Sequence, residues 1–181
     1  MTAVVDRYTR IADGFSKRVH ALTGGDWSTP TPCPEWDVRA LVAHVIDTHY
    51  GMLAELGHQY PESSPENDLP ATWERARAAV LEAVNDPTTA NRTVTSPFGE
   101  LPFTDVTGGL LCADTIYHTW DLARATGQDE TLDAAACEDV LAALGPMDAD
   151  LRGPGLFADK VEPPADADAQ TRLLCFGGRA A

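Results

Sequence analysis

The chain has 181 residues, a length that suits one domain with a hydrophobic core of its own. Its 28 acidic residues outnumber the 13 Lys and Arg and give a net charge of −15, which disfavours binding to nucleic acid or to an anionic membrane surface. With 44% hydrophobic and 23% charged residues, the composition is that of a folded globular protein. We therefore expect a single soluble domain over residues 1–181.

The sequence predicts a cytoplasmic protein. It contains no run of 18 or more apolar residues, so no transmembrane helix is expected. The first 15 residues carry charges where a secretory signal would need an apolar core. The cysteines form no C-x-x-C pair, so we interpret them as reduced thiols that mostly serve packing. They are Cys33, Cys112, Cys137 and Cys175.

Apolar residues at helical spacing predict three helices in the first half of the chain. The first runs from about Val4 to Leu22. The second begins near Trp36 or Asp37, with Asp37 as its N-cap, and ends at about Leu56. The polar, Pro-containing segment Gly57–Asp68 is expected to be a loop, and a third helix fits Leu69–Val84.

The second half adds a hairpin, a fourth main helix and an irregular end. Turn residues between β-branched and aromatic residues predict a short hairpin over Thr93–Phe103. A fourth helix is expected over Thr104–Thr126, ended by Gly127, and a weaker helix over Asp133–Leu144. The tail from Gly145 is rich in Pro, Gly and Asp and is expected to wrap the domain as a largely irregular strap. These elements indicate an all-α fold, a four-helix bundle with one short hairpin.

The fourth predicted helix carries the residues of greatest chemical interest. Asp114, His118 and Asp121 share one stripe, while the opposite side is apolar, so the helix should be buried almost all round. Buried ionisable groups are costly unless they are paired or bound to a cation. Asp114 and His118 lie one turn apart on the same face, so a zinc or nickel ion could bridge them. A simple Asp–His hydrogen bond inside the bundle explains the same spacing.

Two further assignments remain open from periodicity alone. Asp121 could orient the imidazole of His118, or it could be a helix-end charge that pairs with Arg124. On the second helix, periodicity favours His49, which lies near the middle of the apolar stripe, over His44, which lies about 120° away on the helical wheel. A lone histidine on an apolar face is usually a core residue.

Three segments together resemble the actinobacterial branch of the DinB/YfiT-like metalloenzymes. That branch includes the N-terminal domain of mycothiol-dependent maleylpyruvate isomerase. The resemblance covers about Tyr8 to Arg179 and is carried by the segments TPCPEWDVRALVAHV, DTIYHTWDLARATG and PPADADAQTRLLCFGGR. In that family the histidine of a W-x7-H element on the second helix joins an acid-x3-His pair on a later helix around a divalent metal ion. The resemblance therefore implies His44, Asp114 and His118 as metal ligands and overrides the preference for His49.

The resemblance also implies thiol chemistry. An ion held by three protein ligands keeps a position open, where a low-molecular-weight thiol such as mycothiol could bind and attack an electrophilic small molecule. The expected activity is a thiol-dependent transferase or isomerase, and the alternatives are a non-catalytic metal- or ligand-binding module and a purely structural bundle. The isomerase has Glu in place of Asp114 and carries a second domain for which this chain has no room, so that specific isomerisation is less well supported. We also expect a homodimer.

Overall fold

The structure is a computed structural model that describes residues 3–34, 36–59, 68–152 and 157–180. Helices dominate these residues, with one small antiparallel sheet. The longer helices are α1 (Ala3–His20), α2 (Val38–Ala54), α3 (Leu69–Asn85), α6 (Cys112–Thr126) and α7 (Ala134–Leu144). The short ones are α4 (Pro87–Ala90), α5 (Phe103–Val106), α8 (Asp148–Arg152) and α9 (Ala169–Phe176).

Four helices enclose the core, as the periodicity predicts. Helix α1 packs against α3 and α6, and α2 packs against the same two helices on the other side. Phe15 of α1 meets Trp73 of α3 edge to face, with ring centroids 4.8 Å apart, and both side chains are fully buried. The predicted all-α bundle is confirmed. Among the described residues, no helix is both long and apolar enough to cross a lipid bilayer.

Local sequence signals set most of the helix ends. The Asp37 carboxylate accepts a hydrogen bond from the Ala40 amide at 2.8 Å, so the predicted N-cap of α2 is confirmed. Gly127 adopts a left-handed conformation with φ of 66° and ends α6 as predicted. The loop predicted at Gly57–Asp68 lies mostly outside the described residues.

The predicted hairpin is present between α4 and α5. Strand β1 (Thr93–Ser96) pairs with β2 (Gly99–Pro102) in antiparallel register, with Thr93 opposite Pro102 and Ser96 opposite Gly99. Val94 alone faces fully inward on β1, which fits a two-stranded sheet that covers the core on one side only.

The fourth predicted helix is not one regular α-helix. Its helical path runs through α5, then a π-helical turn at Thr107–Leu111, and then α6. At Gly108 a Cβ atom would lie 3.3 Å from Val4 Cγ2, so α1 approaches this turn closely. The Arg7 side chain also donates to the Gly108 carbonyl at 3.1 Å. Apolar periodicity cannot reveal a single wider turn, which explains why the prediction missed it.

The C-terminal strap is more ordered than predicted. Residues 157–168 are irregular, but the chain then forms α9, which packs against α7. Asp168 caps α9 by accepting a hydrogen bond from the Thr171 amide at 2.8 Å. Tyr117 of α6 donates its hydroxyl to the Leu173 carbonyl at 2.6 Å, which fixes α9 against the bundle. The end of the chain is therefore part of the folded core.

This close packing yields a testable prediction at Gly177. A Cβ atom there would lie 2.7 Å from Cζ of Tyr117, and the tyrosine cannot move without losing its bond to Leu173. We expect Gly177→Ala to lower the free energy of unfolding by about 1–3 kcal/mol in urea titrations, the usual range for overpacking. The matched control is Gly51→Ala on the exposed side of α2, where the new methyl meets nothing within 4 Å. That variant should be stabilised by up to about 1 kcal/mol. Equal effects at both positions would contradict the predicted clash.

Candidate metal site

Side chains from α2 and α6 converge at one point of the bundle. His44 Nε2 lies 3.0 Å from Asp114 Oδ1, and His118 Nε2 lies 3.6 Å from the same oxygen. The imidazole rings of His44 and His118 are 5.1 Å apart between centroids, and one ligand atom from each of the three residues lies within 4.8 Å of the others. Two bonds to a zinc ion span about 4 Å, so this spacing is close to what a shared ion needs.

The neighbour of His118 determines which of its nitrogens faces the site. Asp121 Oδ2 lies 3.0 Å from His118 Nδ1, so Nδ1 carries the proton and donates it to this carboxylate. The other ring nitrogen, Nε2, then faces Asp114. Arg124 pairs instead with Glu130 at 2.7 Å. Of the two roles left open for Asp121, the geometry favours the one in which it orients His118.

Asp121 is a carboxylate despite being fully buried. Burial by itself would raise its pKa, but hydrogen bonds from Arg179 and His118 outweigh this and lower the pKa to about 2. The Arg179 guanidinium donates from Nε to Oδ1 at 2.8 Å and from Nη2 to Oδ2 at 2.6 Å. The result is a fixed, permanently ionised acceptor for the imidazole of His118.

Asp114 is also held in its ionised form. Burial opposes its ionisation, but a hydrogen bond from His44 and the nearby His118 lower the pKa of the carboxyl below its usual value. One of its oxygens, Oδ2, is buried and has no hydrogen-bond partner among the described residues. Buried carboxylate oxygens rarely lack a partner, so this atom marks a place where a cation would fit.

Trp36 forms one wall of the cluster and borders an open groove. Its ring centroid lies 4.5 Å from that of His44 and 5.7 Å from that of His118. The His44 side chain is 36% exposed, against 11% for His118, and it lines a groove of about 450 Å³ with Trp36, Ala40 and Ala43. Of the three candidate ligands, only His44 lines this groove, so a small molecule bound there would contact His44.

The chain is similar to known proteins over most of its length. The family model for the mycothiol maleylpyruvate isomerase N-terminal domain matches residues 8–123, which is more than half of the chain. The chain belongs to this family. An uncharacterized protein of Mycobacterium tuberculosis strain CDC 1551 / Oshkosh is 33% identical over 179 residues, which cover 95% of each chain. The same figures apply to an uncharacterized protein of strain H37Rv. No solved structure matches the chain significantly.

His49, the histidine that periodicity preferred, lies in the core of this family member and not at the site. Its ring lies between Tyr8 and Trp73, with centroids at 5.9 and 5.0 Å, and its Nδ1 bonds the Val45 carbonyl of its own helix at 2.7 Å. Periodicity therefore identified the more buried histidine, while the W-x7-H element identified the one that meets Asp114. A metal-ligating residue that faces a groove lies at the edge of the apolar stripe of its helix. Apolar spacing does not identify residues at that edge.

Cys33 is the residue at the site that sequence reasoning missed. It was interpreted as a packing thiol, but its Sγ lies 3.3 Å from Asp121 Oδ2 and 3.9 Å from His118 Nδ1. Burial and then the Asp121 carboxylate raise the pKa of the thiol to about 12, so it is a neutral donor. Cys33 lies three residues before Trp36 in the segment that carries the family resemblance. This position was the sequence signal that could have placed it at the site. Cys112, Cys137 and Cys175 are buried free thiols, in line with the packing interpretation.

The environment of His49 predicts a pH-dependent stability. Burial lowers its pKa to about 4, whereas an unfolded chain would protonate it near pH 6.5. As the pH falls below 6.5, protons bind the unfolded chain preferentially, so stability is lost toward pH 4. Between pH 7 and pH 5, this should cost the wild type about 2 kcal/mol more than it costs His49→Phe, measured by urea titration. Equal losses in the two proteins would show that His49 is not held neutral in the core.

Proposed function

We propose that the chain binds one divalent cation through His44, Asp114 and His118. The observation that carries the proposal is the convergence of three ligand atoms, one each from His44, Asp114 and His118, all within 4.8 Å of one another. Because Nδ1 of His118 donates to Asp121, Nε2 is the nitrogen that would bind a cation, and it lies 3.6 Å from Asp114 Oδ1. The unpartnered Oδ2 of Asp114 adds a second site of negative charge.

The ligand set favours zinc or nickel. The two imidazoles are borderline nitrogen donors, which suit these ions better than magnesium or calcium, and zinc also accepts a carboxylate oxygen. Three protein ligands also leave at least one position for water or substrate, the arrangement typical of catalytic rather than structural zinc. Asp114 is one methylene shorter than glutamate, so the ion must lie close to α6. The hydrogen bond between His44 and Asp114 would then be replaced by two bonds to the ion.

The proposed reaction class is thiol-dependent transfer or isomerisation, with a mycothiol-type thiol as co-substrate. A divalent cation at this site would supply Lewis acidity, which favours the thiolate form of a thiol. The chain's own thiol at the site, Cys33, is kept neutral by burial and by Asp121, so it is a poor nucleophile. The nucleophile must therefore come from outside, through the groove beside His44 and Trp36. The family relationship supports the same class.

A non-catalytic metal- or ligand-binding module is the second candidate. It is favoured because each ionisable group that the structure describes in the cluster already has a hydrogen-bond partner. The pairs are His44 with Asp114, His118 with Asp121, and Cys33 with Asp121. None of these groups is an evident general base. We further propose a cytoplasmic protein that acts on a small molecule and has no nucleic-acid or membrane partner, since its net charge of −15 repels both polyanions.

Removal of one ligand tests metal binding directly. We expect the untagged wild type to bind one equivalent of Zn²⁺ or Ni²⁺, and His118→Ala to lose at least about 100-fold in affinity by calorimetry, more than the loss of a group that only supports a ligand. The fold should persist, because Asp121 keeps Arg179 and Asp114 keeps His44 as partners. The matched control, His20→Ala, removes an exposed histidine on α1 and should bind metal as the wild type does.

Two results would contradict the proposal. If the wild type binds neither ion, the His–Asp cluster is a structural network, and His118→Ala should then cost stability without any change in metal content. If metal binds but the loaded protein consumes no thiol with any electrophilic substrate, the second candidate, a binding module, replaces the enzyme.

The homodimer remains a prediction. A bundle of this size often associates through an exposed apolar flank, and the hairpin and α3 are the expected surfaces. Sedimentation equilibrium should return twice the chain mass of 19.4 kDa, and a monomer at all concentrations would refute the prediction.

A further inference from the structure

The end of the chain reaches the candidate metal site through Arg179. Its guanidinium forms two hydrogen bonds with Asp121, one to each carboxylate oxygen, at 2.8 and 2.6 Å. Such a two-pronged pair fixes the plane of a carboxylate as well as its charge. Asp121 is fully buried, so the arginine supplies charge compensation that water cannot.

The position of Arg179 depends on how α9 ends. Gly178, at φ of 79°, turns the chain back toward α6 directly after the helix. The guanidinium then lies over the ring of Tyr117, 4.7 Å from its centroid, while the hydroxyl of this tyrosine holds Leu173. Arg179 is thus placed by the folded end of the chain and by a side chain of α6, one turn from the site.

The same Asp121 carboxylate carries the bond to His118. Oδ2 accepts hydrogen bonds from Arg179 at 2.6 Å, from His118 Nδ1 at 3.0 Å and from Cys33 at 3.3 Å. With the carboxylate plane fixed by the arginine, only one orientation of the imidazole keeps the bond to Asp121. That orientation directs Nε2 toward Asp114.

We propose that Arg179 is a positioning residue for the metal site: through Asp121 it fixes the ring of His118 so that Nε2 faces Asp114 and His44. Its effect on metal affinity rests on the proposed function, but its effect on the imidazole does not. The C-terminal segment thereby becomes part of the site although it contributes no ligand. Groups that hold a ligating histidine in this way typically contribute a factor of about 10–100 to metal affinity.

Arg179→Lys is the informative variant because it keeps the positive charge and removes the two-pronged geometry. A neutral substitution of Arg179 would remove a positive charge near the site. This change would by itself strengthen cation binding and would mask the loss of affinity expected from lost positioning. We expect Arg179→Lys to bind Zn²⁺ about 10–100-fold more weakly than the wild type. In the metal-free protein, the exchange-protected Nδ1–H signal of His118, assigned by its loss in His118→Ala, should disappear from the histidine side-chain ¹H–¹⁵N spectrum.

Two control variants distinguish the positioning of His118 by Arg179 from the packing of α9 against the bundle. Arg172→Lys makes the same substitution on α9 at an ion pair with Glu138 whose side chains are largely exposed, and both readouts should stay as in the wild type. Tyr117→Phe removes the bond to Leu173 but keeps the ring under Arg179, so it should lower stability while preserving the Nδ1–H signal.

The outcomes distinguish this inference from the proposed function. Wild-type Nδ1–H protection and affinity in Arg179→Lys would overturn the positioning role, as would loss of the signal in Arg172→Lys as well, because disturbance of α9 alone would then explain it. If the wild type binds no Zn²⁺, the proposed function fails, and the Nδ1–H signal of the metal-free protein still decides whether Arg179 positions His118.

Discussion

The site depends on the burial of two carboxylates of α6 on either side of His118. Asp121 and Asp114 are both ionised against the cost of burial, so each needs a donor brought by another part of the chain. Arg179 serves Asp121 from the C-terminal end, and His44 serves Asp114 from α2. The packing of α2 and of the chain end on α6 is therefore tied to charge compensation as well as to apolar contact.

The two carboxylates act differently on the imidazole between them. Asp121 accepts a hydrogen bond from Nδ1, whereas Asp114 faces Nε2 and keeps one oxygen without a partner among the described residues. On the Asp121 side of His118, both carboxylate oxygens accept hydrogen bonds. On the Asp114 side, one buried carboxylate oxygen lacks a partner among the described residues. Cation binding is proposed on the Asp114 side because the unpartnered Oδ2 carries negative charge there.

Much of the fold and part of the site follow from local sequence signals. The helix bounds come from apolar spacing and from caps such as Asp37, and the four-residue spacing of Asp114 and His118 places both on one face. His44 required the W-x7-H element, because a groove-facing residue breaks the apolar pattern. The π-turn before α6 and the bonds from Arg179 depend on contacts between segments distant in the chain, and no local pattern encodes them.

The candidate ligands come from two helices, so the site combines a less exposed pair on α6 with a more exposed histidine on α2. Asp114 and His118 share α6, whose position is held by α1 at the π-turn and by α9 at Tyr117. His44 comes from α2 and lies beside the open groove next to Trp36. Of the three candidate ligands, His44 is the one that lines this groove, and Asp114 and His118 are less exposed. The thiol of Cys33 donates to Asp121 Oδ2, the oxygen that also accepts from His118 Nδ1, so it contacts the site on the side of His118 away from Asp114.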